Sequence, residues 1–271
     1  MDFRYDYFNQ TQLRTGTGKV DRAGIPFPAS QEIQQGTANR VSNVFIDCSP
    51  RHDLGVTVHV PYINRNHTTI VAGDTDVSTS NTESMGDVRV LGRYLGFSED
   101  HSWGIQAGVK FATGSYHNNF IDGPQAGNPL DRGLQPGTGT TDLLPGLFKF
   151  GALNRDWDYF GQALVQVPMN SKEGFRPGTG LNVNLGVRYM SFEKIIPQIQ
   201  INTRYEQRES AINADIPNSG ATLSYLSPGV TVNLAKAVQV YAFVQVPIYQ
   251  NVNGLQIEPR YTVSVGARLA F

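Results

Sequence analysis

The chain lacks any run of 18 apolar residues, so no transmembrane helix can be drawn from it. It has a single cysteine, Cys48, which excludes an intramolecular disulfide. There is no CxxC and no CxxCH, which speaks against thiolate zinc sites and haem c attachment. It also lacks a charge excess of either sign. With 22 Lys and Arg against 23 Asp and Glu, the formal net charge is −1, which gives no electrostatic case for nucleic acid as a partner. No segment with signal-peptide character opens the chain, because Met1-Asp2-Phe3 run directly into a strand-like stretch. We read it as a mature exported chain whose signal was replaced by Met1.

What is abundant is punctuation. The 271 residues include 28 glycines and 15 prolines, which suits many short strands separated by turns. Alternation of period two recurs throughout. In Leu181-Asn182-Val183-Asn184-Leu185-Gly186-Val187-Arg188-Tyr189 one face reads Leu, Val, Leu, Val, Tyr and the other Asn, Asn, Gly, Arg. Residues 199–205, 238–246 and 261–269 repeat the scheme. Runs of about 9 residues match the ~9–11 that a tilted strand needs to cross a bilayer. The mean hydropathy of −0.30 is compatible with this, since only alternate residues would meet lipid.

Strands are expected near 3–16, 35–48, 54–63, 85–97, 103–113, 140–150, 156–168, 180–190, 196–208, 221–234, 238–248 and 257–271. The connections alternate in length. Those near 17–34, 64–84, 114–139, 169–179, 209–220 and 249–256 are long, and those at 49–53, 98–102, 151–155, 191–195 and 235–237 are tight. The pattern predicts an all-β protein: a transmembrane antiparallel up-and-down β-barrel of about twelve strands, residues 1–271 forming one domain, with both termini periplasmic. A soluble sandwich shows the same alternation with its apolar face turned inward. Three features favour the membrane. Apolar-face aromatics fall at two levels, Tyr62, Phe111, Tyr205 and Tyr261 at one edge and Tyr94, Trp157, Tyr159, Tyr189 and Phe271 at the other. Charges recur on the polar face within strands. The chain also ends on an aromatic residue directly after an alternating strand, which resembles the signal read by the barrel assembly machinery of the outer membrane.

Candidate chemistry is sparse. His52 and His101 fall at tight turns, His67 and His117 in long loops, and His59 on the polar face, so no metal cluster forms. Thr15-Gly16-Thr17-Gly18-Lys19 lacks the spacing of a phosphate-binding loop. Asp74-Thr75-Asp76 lacks the rest of an EF-hand. No G-x-S-x-G occurs, and neither enzymatic activity nor a cofactor is expected. The polar face is the informative one. Arg4, Arg89, Arg93, Lys110, Arg188, Arg204, Arg208, Arg260 and Arg268 stand against Asp6, Asp47, Asp87, Asp158 and Glu206. These charges either pair across strands and stiffen the wall or form a pore lining that favours anionic solutes. Pore-lining residues are therefore expected at Asp87, Arg89, Arg93, Lys110, Asp158, Arg188, Arg204, Glu206, Arg208, Arg260 and Arg268. The loop 114–139, with Tyr116, His117, Phe120 and three prolines among six glycines, is either a mobile surface loop or an inward-folded lid.

Gly86-Asp87, Ala112-Thr113-Gly114, Pro228-Gly229, Pro247-Ile248-Tyr249-Gln250, Gly254-Leu255-Gln256 and the terminal strand to Phe271 resemble the outer-membrane family named for the meta-pathway of phenol degradation, over residues 85–271. The resemblance implies a passive channel for small solutes, among them aromatic or hydrophobic compounds, with outer-membrane lipids and the assembly machinery as partners. It names no binding residue and no oligomeric state. A barrel whose lumen is closed, serving a structural or binding role, is the other reading.

Overall fold

A computed structural model describes all of residues 1–271. The strands are β1 (Asp2–Gly16), β2 (Gly18–Lys19), β3 (Ile33–Arg51), β4 (Leu54–Ile70), β5 (Ser78–Met85), β6 (Arg89–Tyr94) and β7 (Trp103–Lys110), followed by β8 (Asp142–Leu143), β9 (Gly146–Ala152), β10 (Trp157–Pro168), β11 (Gly180–Tyr189), β12 (Ile195–Glu206), β13 (Ala221–Ala235) and β14 (Val238–Leu269). All pairings between them are antiparallel. The order runs from β11 through β12, β13, β14, β1, β3, β4, β6, β7, β8 and β9 to β10, which pairs back with β11 and closes the wall.

The last ribbon makes two passes. Its residues 238–252 pair with β13 and its residues 252–268 pair with β1, so it reverses at Asn253-Gly254, where Gly254 has φ 61°. The two halves lie side by side: Gln250 donates to the Pro259 carbonyl at 3.1 Å, and a Cβ on Gly266 would meet the Tyr241 ring. β5 and β6 both lie against β4 and make one interrupted pass, as β8 and β9 do against β10. Eleven separate ribbons thus give twelve passes. Sequence placed the connection at 249–256 among the long ones; it is tight, because Gly254 allows an immediate reversal. The long connection expected at 64–84 shrinks to 71–77, because β4 and β5 extend their pairing well past the expected strand ends.

The burial pattern is inverted relative to a soluble domain. Only ten large hydrophobic residues are buried, while twenty polar or charged ones are, including Asn39, Asn43, Gln106, Lys110 and Asp142. Thirty-six large hydrophobics are exposed, among them Val56, Ile105, Leu147, Leu185, Ile201, Val246 and Val265. A sandwich would bury that alternating face between sheets; here it points outward around the whole circumference. Rings flank it at the tight-turn end, where Tyr94, Phe97 and Trp103 cluster at 4.9–5.0 Å and Trp157, Tyr189 and Phe192 at 5.1–5.2 Å. Both termini lie at that end, with the Met1 ammonium 2.7 Å from the Leu269 carbonyl.

The wall is uneven in height. β1, β3 and β4 run 15, 19 and 17 residues, while β7 has 8 and the interrupted pass of β8 and β9 has 2 and 7. The residues withheld from the short side form the loop between β7 and β8.

Candidate functional site

The loop 114–139 folds into the long-loop mouth of the barrel. A bridge joins Thr79 of β5 to Asp122, and Phe120 and Leu130 are buried. The loop covers the inward side chains Ser78, Ser80 and Thr82, all buried. His67, expected in an outer loop, lies in β4, fully buried, with Nδ1 2.7 Å from the Thr37 hydroxyl. On the high side of the mouth, Arg65 donates to the Asn39 side chain at 2.7 Å and to the Gly133 carbonyl at 3.4 Å. Arg132 lies over the rings of Tyr116 and Phe175 and donates to the Thr138 carbonyl at 2.9 Å. The loop is a lid.

Its base is stapled by Asp87. One carboxylate oxygen accepts from the Gly114 amide at 3.0 Å, and the other from the Thr138 amide at 3.0 Å and the Thr138 hydroxyl at 2.9 Å. The same group is 3.0 Å from the Lys110 ammonium, which sits 3.0 Å from Asp142 as well and touches the Thr138 hydroxyl. Thr113 ties the first arm, donating to the Gly86 carbonyl and accepting from the Val88 amide. Gly114 and Gly137 pass so close that a Cβ on either would collide with the other's backbone. The residue groups Gly86-Asp87 and Ala112-Thr113-Gly114 are therefore the anchor of the lid. Asp87 and Lys110, expected to line open water, are enclosed beneath it; a buried cation between two carboxylates is held by its partners, not free to meet a solute.

The tip of the lid meets a group of acids. Asp131 has Glu32 and Asp215 for neighbours, and Glu209 has Asp131, Glu206 and Asp215. A Cβ on Gly133 would stand 3.5 Å from Glu209 Oε1. Burial, reinforced by these like charges, pushes the Asp131 carboxyl up to about 6 and that of Glu209 up to about 8. Arg208, beyond the end of β12, donates to the Ile216 carbonyl at 3.3 Å and belongs to this rim. Arg204 is paired with Glu206 at 2.5 Å. Arg260 lines a separate recess of about 470 Å³ with Arg14 and Lys19.

Beneath the lid lies a larger cavity of about 870 Å³. Arg4, Arg89, Arg93, Arg188 and Arg268 line it together with Asp2 and Asp47. Most of these arginines have a carboxylate: Arg4 has Asp6 at 2.9 Å, Arg93 has Asp47 at 3.4 Å, Arg188 has Asp158 at 3.5 Å and Arg268 has Asp2 at 3.0 Å. Arg89 has none within 4 Å and makes no hydrogen bond; its register partners are His59 and Lys110. The charges on the polar face were legible from strand parity. The rings among them were missed. Phe45, Phe160, Tyr241 and Phe243 share the cavity with Leu91, Leu164 and Ile196. Their parity matches that of Asp47, Gln162 and Gln239, but apolar residues on a polar face read as breaks in the pattern.

No protein-family model matches the chain, and no curated protein sequence does either. Solved structures do resemble it. An outer membrane channel from Pseudomonas putida F1 superposes with a TM-score of 0.65 at 11% identity, over 99% of this chain and 95% of that one. The transport unit of the autotransporter AIDA-I from Escherichia coli gives 0.56 at 10%, over 100% and 89%. The NanC porin gives 0.51 at 9%, over the full length of both chains. At these identities the likeness is one of fold. The chain has the architecture of outer-membrane β-barrels, an antiparallel closed wall with an apolar exterior.

Proposed function

We propose that this protein is an outer-membrane channel for the passive uptake of small solutes, residues 1–271 acting as one barrel unit in the bacterial outer membrane. The single observation that carries this is the charged, partly open cavity of about 870 Å³ running inside a closed wall whose exterior is apolar. Its relatives in fold include an outer membrane channel and a porin, which supports transport. Outer-membrane lipids then face the exterior, the termini and tight turns face the periplasm, and the lid lies on the outside. The resemblance to the phenol meta-pathway family supports aromatic compounds among the solutes.

The cavity supports Arg89, Arg93, Arg188 and Arg268 as pore-lining residues, with Asp158 behind Arg188. Guanidinium groups directed into the passage raise the local anion concentration, less so where a carboxylate pairs them. The test is the reversal potential across a KCl gradient in a planar bilayer. We expect anion preference, reduced by Arg89→Gln, whose guanidinium has no carboxylate within 4 Å, and by Arg93→Gln and Arg204→Gln. Cation selectivity would overturn the lining assignment. A complete lack of current would point to a lumen closed by the lid and a structural role.

A further inference from the structure

Most of the charges on the wall of the larger cavity answer one another. Arg4, Arg93, Arg188 and Arg268 each have a carboxylate, and Asp87 and Asp142 lie close enough to Arg89 to act on its charge. What stays open is a set of amides. Five glutamines, Gln106, Gln162, Gln198, Gln200 and Gln239, line the cavity. Gln198 donates to the Thr231 hydroxyl at 3.0 Å and Gln200 accepts from Asn202 at 3.3 Å, which leaves the Gln198 oxygen and the Gln200 amide hydrogens to the lumen. A primary amide offers a donor and an acceptor side by side. A carboxylate uses only the donor and a hydrocarbon uses neither. A hydroxyl uses both.

Two phenyl rings bracket two of these amides. Phe160 of β10 lies opposite Gly186 of β11, and Gly186 lies opposite Gln200 of β12. From the other side, Phe243 of β14 lies opposite Gly229 of β13, and Gly229 lies opposite Gln198 of β12. A Cβ on Gly186 would run into the Phe160 ring and crowd Gln200, and a Cβ on Gly229 would run into the Phe243 ring. Each ring therefore leans over a glycine toward β12, and both keep surface on the cavity. Opposed residues on neighbouring strands stand about 5 Å apart, so the two glycines are separated by two such steps, roughly 10 Å. Gln198 and Gln200 are two positions apart on the strand between them. The register thus makes one contiguous patch on three adjacent strands: apolar rings at both sides and polar amides in the middle. A pyranose has the matching surface, with flat faces of C–H groups and a rim of hydroxyls.

We propose that the inner face of the wall around Gln198 and Gln200 is a binding track for short neutral saccharides, the sugar faces resting on Phe160 and Phe243 and the hydroxyls exchanging hydrogen bonds with the two glutamines. This rests on the channel reading and adds to it a class of solute that is neither charged nor aromatic, and a place in the lumen where it pauses. Hydroxyls take over the hydrogen bonds of the water they displace from the amides, so little is lost there. The gain comes from covering the two rings, which water does not favour.

The experiment is saturation-transfer NMR of the whole protein in amine-oxide micelles, which carry no sugar headgroup, read against protein-free micelles. The probes are cellobiose, sorbitol and benzyl alcohol: two pyranose rings, hydroxyls without a ring, and a ring with a single hydroxyl. Titration should give cellobiose a dissociation constant at least about tenfold below that of either other probe, the difference expected when one ring contact or one to two hydrogen bonds are lost. Gln200→Ala and Phe243→Ala should each weaken cellobiose about tenfold, in proteins that still migrate as folded barrels before heating. In the unmodified protein, no binding of cellobiose, equal binding of sorbitol, or equal or tighter binding of benzyl alcohol would each overturn the proposal. Unchanged cellobiose binding in both folded variants would overturn it as well, since the sugar would then sit elsewhere. Micelle binding is read whether or not the lumen conducts, so a failure here is distinct from a lack of KCl current, which bears on the channel reading.

Discussion

Leu185 and Asn184 are neighbours in β11 with opposite surroundings. Leu185 lies across from Ile201 and Gly161 and is 54% exposed on the outer face, whereas Asn184 lies across from Asn202, which donates to it at 2.8 Å, and Gln162. Leu185→Arg should therefore cost about 2–4 kcal/mol, since a guanidinium would be forced into hydrocarbon near the midplane. Asn184→Arg should cost much less, because the lumen hydrates it. Chemical denaturation of the protein refolded into lipid vesicles measures both, and equal costs would contradict a wall with lipid on one side and water on the other. The lone thiol belongs to the same face. Cys48, level with Val56 of the neighbouring strand, is exposed toward the outside, and no base is placed beside it. Residue parity was readable from sequence at all these positions. Asp87 was not, because its role depends on two loop amides more than twenty residues away that only the fold brings to it.

At the scale of the element the lid dominates. Deleting the Asp87 carboxylate in Asp87→Ala removes acceptors from the Gly114 and Thr138 amides at once and leaves Lys110 with Asp142 only. Breaking a buried ion pair in this way typically costs about 3–5 kcal/mol. The expected result is a lid that is cleaved by added protease between residues 114 and 139 and a larger single-channel current, with the barrel itself still folded. A lid as protease-resistant as before would show that Asp87 does not hold it. The acids at the tip give a second lever. Asp131 and Glu209 hold their protons more tightly in the packed lid than a free carboxyl does, so packing is favoured at low pH. It weakens as pH rises from about 4, where free carboxyls ionise, through about 6 and about 8, where these two do, and then levels off. Current should rise over that interval, and Glu209→Gln should remove the upper part of the rise. Loop length and glycine content marked 114–139 as unusual, yet both an outward loop and an inward lid fitted them. The choice came from the low wall at β7, β8 and β9, which leaves a notch for the loop to fill.

For the whole molecule, the alternation of tight and long connections sets an orientation that labelling can read. With Cys48→Ser as background, a cysteine at Ala126 in the lid should react with an impermeant maleimide on intact cells, and one at Glu99 in the tight turn should not. The reverse pattern would invert the barrel. Sequence by itself determined the antiparallel passes, their approximate number, and which face of each is apolar, because a period of two is a local property that every strand carries in its own residues; the aromatic levels and strand charges then favoured a closed wall over a sandwich. It also set the strand charges on the polar face, since parity assigns each one a side. The tertiary structure decided the rest: which arginines are neutralised, which rings join them, that Asp87 and Lys110 are sealed, and that the lid turns inward. Each of these depends on which strands face one another across a closed circle and on how tall each stands, and neither is written in the alternation of any single strand.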